Sequence, residues 1–259
     1  MNRALSLPAL LLLGLAVTAR QYAKAEQLAF TFYALGLPVA QSSMSFNLTP
    51  AAYRMTLSYQ TTGLARLVQA DRLDQTAAGT FEHDKPLPLQ YSSSGLLHSQ
   101  PRLVTLAYRG GDPTTTAISP PNEAEREIVP PERRDHTVDP LSAIIDMVHV
   151  AATTGRCDVH QTTYDGRRLE VFEARTVGEE ELPPTGRSIF SGHGLRCEYT
   201  SRPIAGFKLG DGRDDDKRSR GGTFWLAQVT PGGLRLPVRG VVDVRFLGEA
   251  TMYLTGVTP

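Results

Sequence analysis

Cys157 and His160 stand three residues apart in "RCDVH", and these residue types allow three kinds of chemistry. A nucleophilic thiol would need a partner that lowers its pKa and a pocket for the substrate. A zinc site would need three or four ligands at characteristic spacing, yet this CxxH stands alone. In an extended segment residues i and i+3 point to opposite faces, so His160 would turn away from the sulfur. The chain has only two cysteines, Cys157 and Cys197. In an oxidising compartment their simplest use is to pair with each other. The sequence therefore predicts a structural disulfide, with no catalytic and no metal-ligating residues.

Other constellations fall short by spacing. "DGRDDDK" has the acids of a calcium loop, but starting at Asp211 the third position is Arg213, and starting at Asp214 the fifth is Arg218. Ser191 and His193 lie close in "IFSGHG", but a hydrolase elbow needs glycine two residues before the serine, where Ile189 stands. No phosphate-binding glycine pattern precedes a helix, so no cofactor is expected. Asp146 and His149 sit i, i+3 on a helical segment, opposite most of its apolar face. They read either as a solvated helix face or as the lining of a cavity. Trp225, the only tryptophan, reads as a core anchor or as a cavity-lining ring.

The first residues bear on the compartment. "MNRALSLPALLLLGLAVTARQYAKAEQ" has Arg3, an apolar stretch from Ala9 to Val17, and small residues suited to cleavage after Ala19 or Ala25. That is the three-part design of a secretory signal, too short in its apolar part to span a bilayer. Residues 1–25 are expected to be removed, leaving an exported protein with no transmembrane span. The full chain balances 27 basic against 27 acidic residues. The leader carries Arg3, Arg20 and Lys24 and no acid, so the mature chain is mildly acidic. A nucleic-acid partner is not expected of it.

Around these residues the chain reads at period two. Leu28, Phe30 and Phe32 alternate, as do Met44, Phe46 and Leu48, and Tyr53, Met55, Leu57 and Tyr59. Further alternating runs cover 103–108, 168–174, 223–229, 241–247 and 250–257, with Gly, Pro, Asn and Asp between runs. One helix is predicted at Pro140–Thr154. Asp139 is its N-cap, Pro140 its first residue, Leu141, Ile144, Ile145, Val148 and Ala152 its apolar face, and Gly155 its stop. Residues 26–259 are expected to form one β-rich domain. A proline-rich loop at about 109–138 and a charged loop at about 210–222 interrupt it.

The signal segment, the early hairpins, "VDPLSAI" opening a helix, "YDGRR" after the first cysteine, and "RLPVRGVV" after the second resemble a family of exported bacterial proteins. That family is the domain of unknown function numbered 3108. The likeness runs from about Phe30 to Val257. Its landmarks are Asp139–Pro140–Leu141–Ser142, Asp165–Gly166–Arg167 and Leu236–Pro237. The resemblance implies a mainly antiparallel β fold in the periplasm and no established catalytic residues. The expected architecture is a strongly curved sheet or open barrel wrapped around the helix and stapled by Cys157–Cys197. The expected function is non-enzymatic: a structural or binding role in cell-envelope maintenance, toward an envelope protein or a hydrophobic envelope component. The alternative is a carrier of a lipid or other apolar ligand in the concave face. A hydrolase of envelope polymers is a remote third reading.

Overall fold

The computed structural model describes residues 26–210, 212–244 and 248–258. The predicted signal segment, residues 1–25, and the end of the 241–247 run lie outside the described residues. Strands β1 (Glu26–Ala34), β2 (Leu37–Leu48) and β3 (Ala52–Thr61) lead to a single helical turn, α1 (Ala65–Val68). Strands β4 (Arg72–Glu82), β5 (Lys85–Leu97), β6 (Gln100–Arg109) and β7 (Asp112–Ser119) follow. Helix α2 (Pro140–Thr154) precedes β8 (Val159–Tyr164), β9 (Leu169–Leu182) and β10 (Gly192–Ala205). A second short turn, α3 (Arg213–Asp216), leads to β11 (Arg220–Gln228), β12 (Arg235–Val244) and β13 (Gly248–Thr258).

Among the described residues the strands form one antiparallel sheet of thirteen, in the order β7-β6-β5-β4-β3-β2-β1-β13-β12-β11-β10-β9-β8. The first and last strands of the chain pair in the middle, Phe30 opposite Leu254, so β7 and β8 become the edges. The sheet curls around α2, which packs against β3, β4, β5, β8 and β12. The alternation read from sequence sets the inner face: Leu28, Phe30, Phe46, Leu48 and Met55 are buried together with Leu141, Ile145 and Val148 of the helix. A side chain of that kind contributes about 1.5–3 kcal/mol when fully buried, so this shared interior holds the sheet in its curl. Among the described residues no helix is long and apolar enough to cross a membrane.

The helix forms where its caps require. The Asp139 carboxylate accepts the Ser142 N–H at 2.9 Å, Pro140 occupies the first turn, and Gly155 ends the helix at φ 73°. The chain leaves α2 through Cys157, which is disulfide-bonded to Cys197 on β10 with their Cα atoms 6.2 Å apart. The pair is buried beside Met147, Ala151, Leu195 and Leu226.

Two expected loops are corrected. The segment 109–138 is not all loop, because Asp112–Ser119 forms edge strand β7 against β6. Its threonines suit a strand, and Pro113 is tolerated at an edge. The remainder is tied down at both ends. Arg126 bridges to Lys208, Val129 is buried, and Val138 pairs in parallel with Thr163 of β8. The charged loop is corrected likewise: α3 lies within it, β11 begins at Arg220, and Asp216 is buried against Arg126.

Candidate functional site

Helix α2 carries a polar stripe inside the sheet. At its first turn the Tyr53 hydroxyl and Ser142 Oγ are 2.7 Å apart, and Ser142 Oγ donates to Asp139 Oδ2 at 2.5 Å. Burial pushes the Asp139 carboxyl up to about 6, against the opposing effect of the Ser142 hydrogen bonds. Burial also raises the Tyr53 phenol well above its ordinary range. Two turns on, Asp146 is fully buried and His149 is 3% exposed, so the solvated-face reading of this pair is overturned. The sheet curls far enough that both sides of the helix are covered. Asp146 accepts from Gln161 at 2.5 Å and faces Lys85 at 3.7 Å; its carboxyl is raised by burial, partly offset by those partners. The His149 ring stacks on Phe81 at 4.3 Å, and neither of its nitrogens has a hydrogen-bond partner. Asp84 approaches His149 Nε2 at 3.6 Å, beyond hydrogen-bonding range.

Ser142 is engaged on both sides by Asp139 and Tyr53, which makes this chain of hydroxyls a tie between helix and sheet. Ser191 and His193 are both exposed. Trp225 on β11 is packed with its Nε1–H donating to Glu180 at 3.2 Å and Arg196 5.8 Å from its ring centre. It belongs to the main core and is not among the residues lining the cleft beside Pro140. Among the described residues no three or more His, Cys, Asp or Glu side chains group as metal ligands.

Charged side chains gather at the N-terminal end of α2, beside its first turn. A cleft of about 870 Å³ opens beside Pro140, between β4–β6, the β8–β9 turn and the segment before β11. Six cations line it: Arg102, Arg126, Arg167, Arg168, Lys208 and Arg220. Four carboxylates face them: Glu125, Asp165, Glu170 and Asp216. Glu125 is shared, hydrogen-bonded by Arg102 and 3.7 Å from Arg167, and the Arg102 bond holds its carboxyl below the usual range. Asp216 takes Arg126 at 2.9 Å; burial alone would raise its pKa, and the Arg126 bond and charge reverse that. Arg168 is held by Asp165 at 3.3 Å and Glu170 at 2.9 Å. Burial lowers the pKa of Arg167, and repulsion from Arg102 adds to it. Lys208 and Arg220 have no acidic partner among the described residues. The cleft is therefore cationic, with two uncommitted charges and two guanidiniums pressed together.

The fold builds this cleft at its seam. In the β8–β9 turn, Gly166 has φ 90°, and a Cβ there would meet Val104 Cγ1 at 2.3 Å. Only glycine lets the turn come this close to β6. Arg167 then reaches across to β7, donating to the carbonyls of Ser119 at 2.8 Å and Pro120 at 3.1 Å. Asn122 returns a bond to the Gly166 carbonyl at 2.9 Å. Sequence reasoning missed this site because its cations are scattered from Arg102 to Arg220. The visible signal was "DGRR", together with the bases inside two segments read as loops.

The model of the family "Protein of unknown function (DUF3108)" matches residues 27–255. The chain belongs to the DUF3108 family. The resemblance drawn from the short sequence landmarks thus holds over nearly the whole described chain. Among solved structures, this DUF3108 chain is similar to a crystal structure of a β-barrel-like protein of domain of unknown function DUF1849 from Brucella abortus. The TM-score is 0.52 at 12% identity, over 90% of this chain and 96% of that one. At that identity the likeness concerns the fold alone. No curated protein matches the DUF3108 chain.

Proposed function

We propose that the protein is a non-enzymatic periplasmic component of the cell envelope that works by binding an anionic, polar partner at the cleft beside Pro140. The observation that carries this reading is the charge of the cleft. Six cations face four carboxylates, and Lys208 and Arg220 are uncommitted. Guanidiniums and ammoniums collected in a recess favour carboxylate, phosphate or sulfate groups. The disulfide is compatible with an oxidising compartment. The concave face supports this binding reading over an apolar-ligand carrier. Helix α2 and the side chains of the core occupy the space such a ligand would need, including Phe30, Met55, Leu106 and Ile145.

The physiological test is a deletion strain grown on detergent or bile salt. Sensitivity is expected, with rescue by the wild-type gene and not by Lys208→Glu/Arg220→Glu. Wild-type resistance of the deletion strain across several such stresses would contradict an envelope role.

A further inference from the structure

The end of the sheet that carries the cleft mouth also carries most of the exposed aliphatic side chains. Leu35 (81% exposed) and Leu37 sit on the β1–β2 tip; Leu64 (69%), Leu67 (84%) and Val68 (91%) sit on and beside α1. The two tips are neighbours, because the Thr62 N–H donates to the Val39 carbonyl at 2.9 Å. The α1 loop is joined in turn to the β5–β6 tip through the His98 N–H and Asp71 at 2.8 Å. Gln69, which caps α1, and His98 both line the cleft. Isolated exposed aliphatic side chains need no explanation, but five at the tips of two adjacent loops do.

Charge indicates what covers them. Residues 33–38 and 62–69 contain no acid, and their single charged residue is Arg66. Arg187 joins them from the β9–β10 loop, donating to the Gly36 carbonyl at 3.2 Å, 4.5 Å from the Tyr33 ring centre. The acids just beyond α1 are engaged: Asp71 is buried and bonded to Gln69, and Asp74 is paired with Arg72. The aliphatic groups stand 55–91% exposed at loop tips, which suits a deformable apolar layer. Exposed Glu249 at the start of β13 lies beside the β1–β2 tip. The aliphatic tips themselves carry arginine and no acid, which matches a bilayer of anionic lipid.

We propose that this rim docks on an anionic lipid surface, Leu64, Leu67, Val68 and Leu35 entering the headgroup boundary and Arg66 and Arg187 meeting the lipid phosphates. The proposal rests on the preceding reading only for the cleft that opens beside the rim. The test is co-sedimentation of the purified, disulfide-intact chain with vesicles of phosphatidylcholine, alone or mixed with phosphatidylglycerol. Partitioning onto the mixed vesicles is expected, with a loss of at least about tenfold for Leu67→Glu/Val68→Glu. Both sites are exposed, and an unchanged melting temperature would show that the variant folds. Failure of the wild type to bind either vesicle overturns the proposal, as does equal binding to both or binding that the double substitution leaves intact. Titration with soluble glycerol phosphate reads the cleft separately. Vesicle binding without glycerol phosphate binding keeps the rim and overturns the cleft, whereas the converse overturns the rim alone.

Discussion

Arg167 in the β8–β9 turn donates through Nη2 to the carbonyl of Ser119 at the end of β7, at 2.8 Å. This contact joins the two open edges of a sheet that does not close by strand pairing. The same guanidinium also holds the Pro120 carbonyl and the Asn122 side chain, so one side chain spans the gap with several bonds. Arg167→Ala should cost about 2 kcal/mol, because the seam carbonyls and the Asn122 side chain lose charge-assisted donors. Arg167→Lys should recover little, since an ammonium cannot present a planar fork to separated acceptors. Thermal unfolding together with hydrogen exchange checks this. The amides of β7 should lose protection first, and an unchanged melting temperature in the alanine variant would remove the seam from the account.

The disulfide has an independent prediction. Cys157 and Cys197 close a loop of 40 residues, for which the chain-entropy model gives about 4 kcal/mol. Exported protein should show no labelled thiol until it is reduced, and Cys157→Ser/Cys197→Ser should lower the denaturant midpoint. One reactive thiol per oxidised chain would contradict the pairing.

Asp139 makes stability depend on pH with a definite sign. Its ordinary value of 3.8 is raised by burial to about 6 in the folded protein. Between about pH 4 and 6 the folded carboxyl keeps a proton that the unfolded chain has released. Its contribution is full below pH 4 and falls as pH rises to 6, by roughly 3 kcal/mol. Asp139→Asn keeps a cap acceptor without the titration. The stability of the wild type relative to this variant should fall from pH 4 to 6 and level off above. The depressed carboxyls of Glu125 and Asp216 act in the opposite sense at lower pH, and they cancel in that comparison. A difference that stays flat from pH 4 to 7 would contradict the assignment.

His149 is buried with neither ring nitrogen hydrogen-bonded, its face on Phe81 and only the exposed Asp84 carboxylate near Nε2. An apolar ring of similar size removes that desolvation cost and keeps the stack. His149→Phe should therefore be neutral or stabilising by about 1 kcal/mol in denaturant unfolding. A loss of stability larger than that would assign the imidazole a polar role at this place.

Much of the fold was legible because burial on one face writes a period of two. The runs at Leu28–Phe32, Met44–Leu48 and Tyr53–Tyr59 all became strands, and Asp139, Pro140 and Gly155 bounded the helix where they stand. Strands β4 and β5 were not read, because "TAAG" and "YSSSG" carry small side chains that pack without an apolar signature. The burial of Asp146 and His149 was not legible either. Helical spacing shows which side is apolar, but only the curl of the sheet decides whether the polar side is also covered. The cleft was hidden for a related reason: Arg102, Arg126, Arg167 and Lys208 meet only through the seam, a contact between edges far apart in sequence.

The central claim is that the cleft beside Pro140 binds anions. Calorimetric titration of glycerol phosphate into the mature protein at low salt tests it directly. Saturable binding of one anion per chain is expected, weakened by added salt and reduced at least about tenfold in Lys208→Glu/Arg220→Glu. Absence of saturable binding up to about 10 mM, a range that covers affinities weaker than −4 kcal/mol, would contradict it. So would binding that the double charge reversal leaves unchanged.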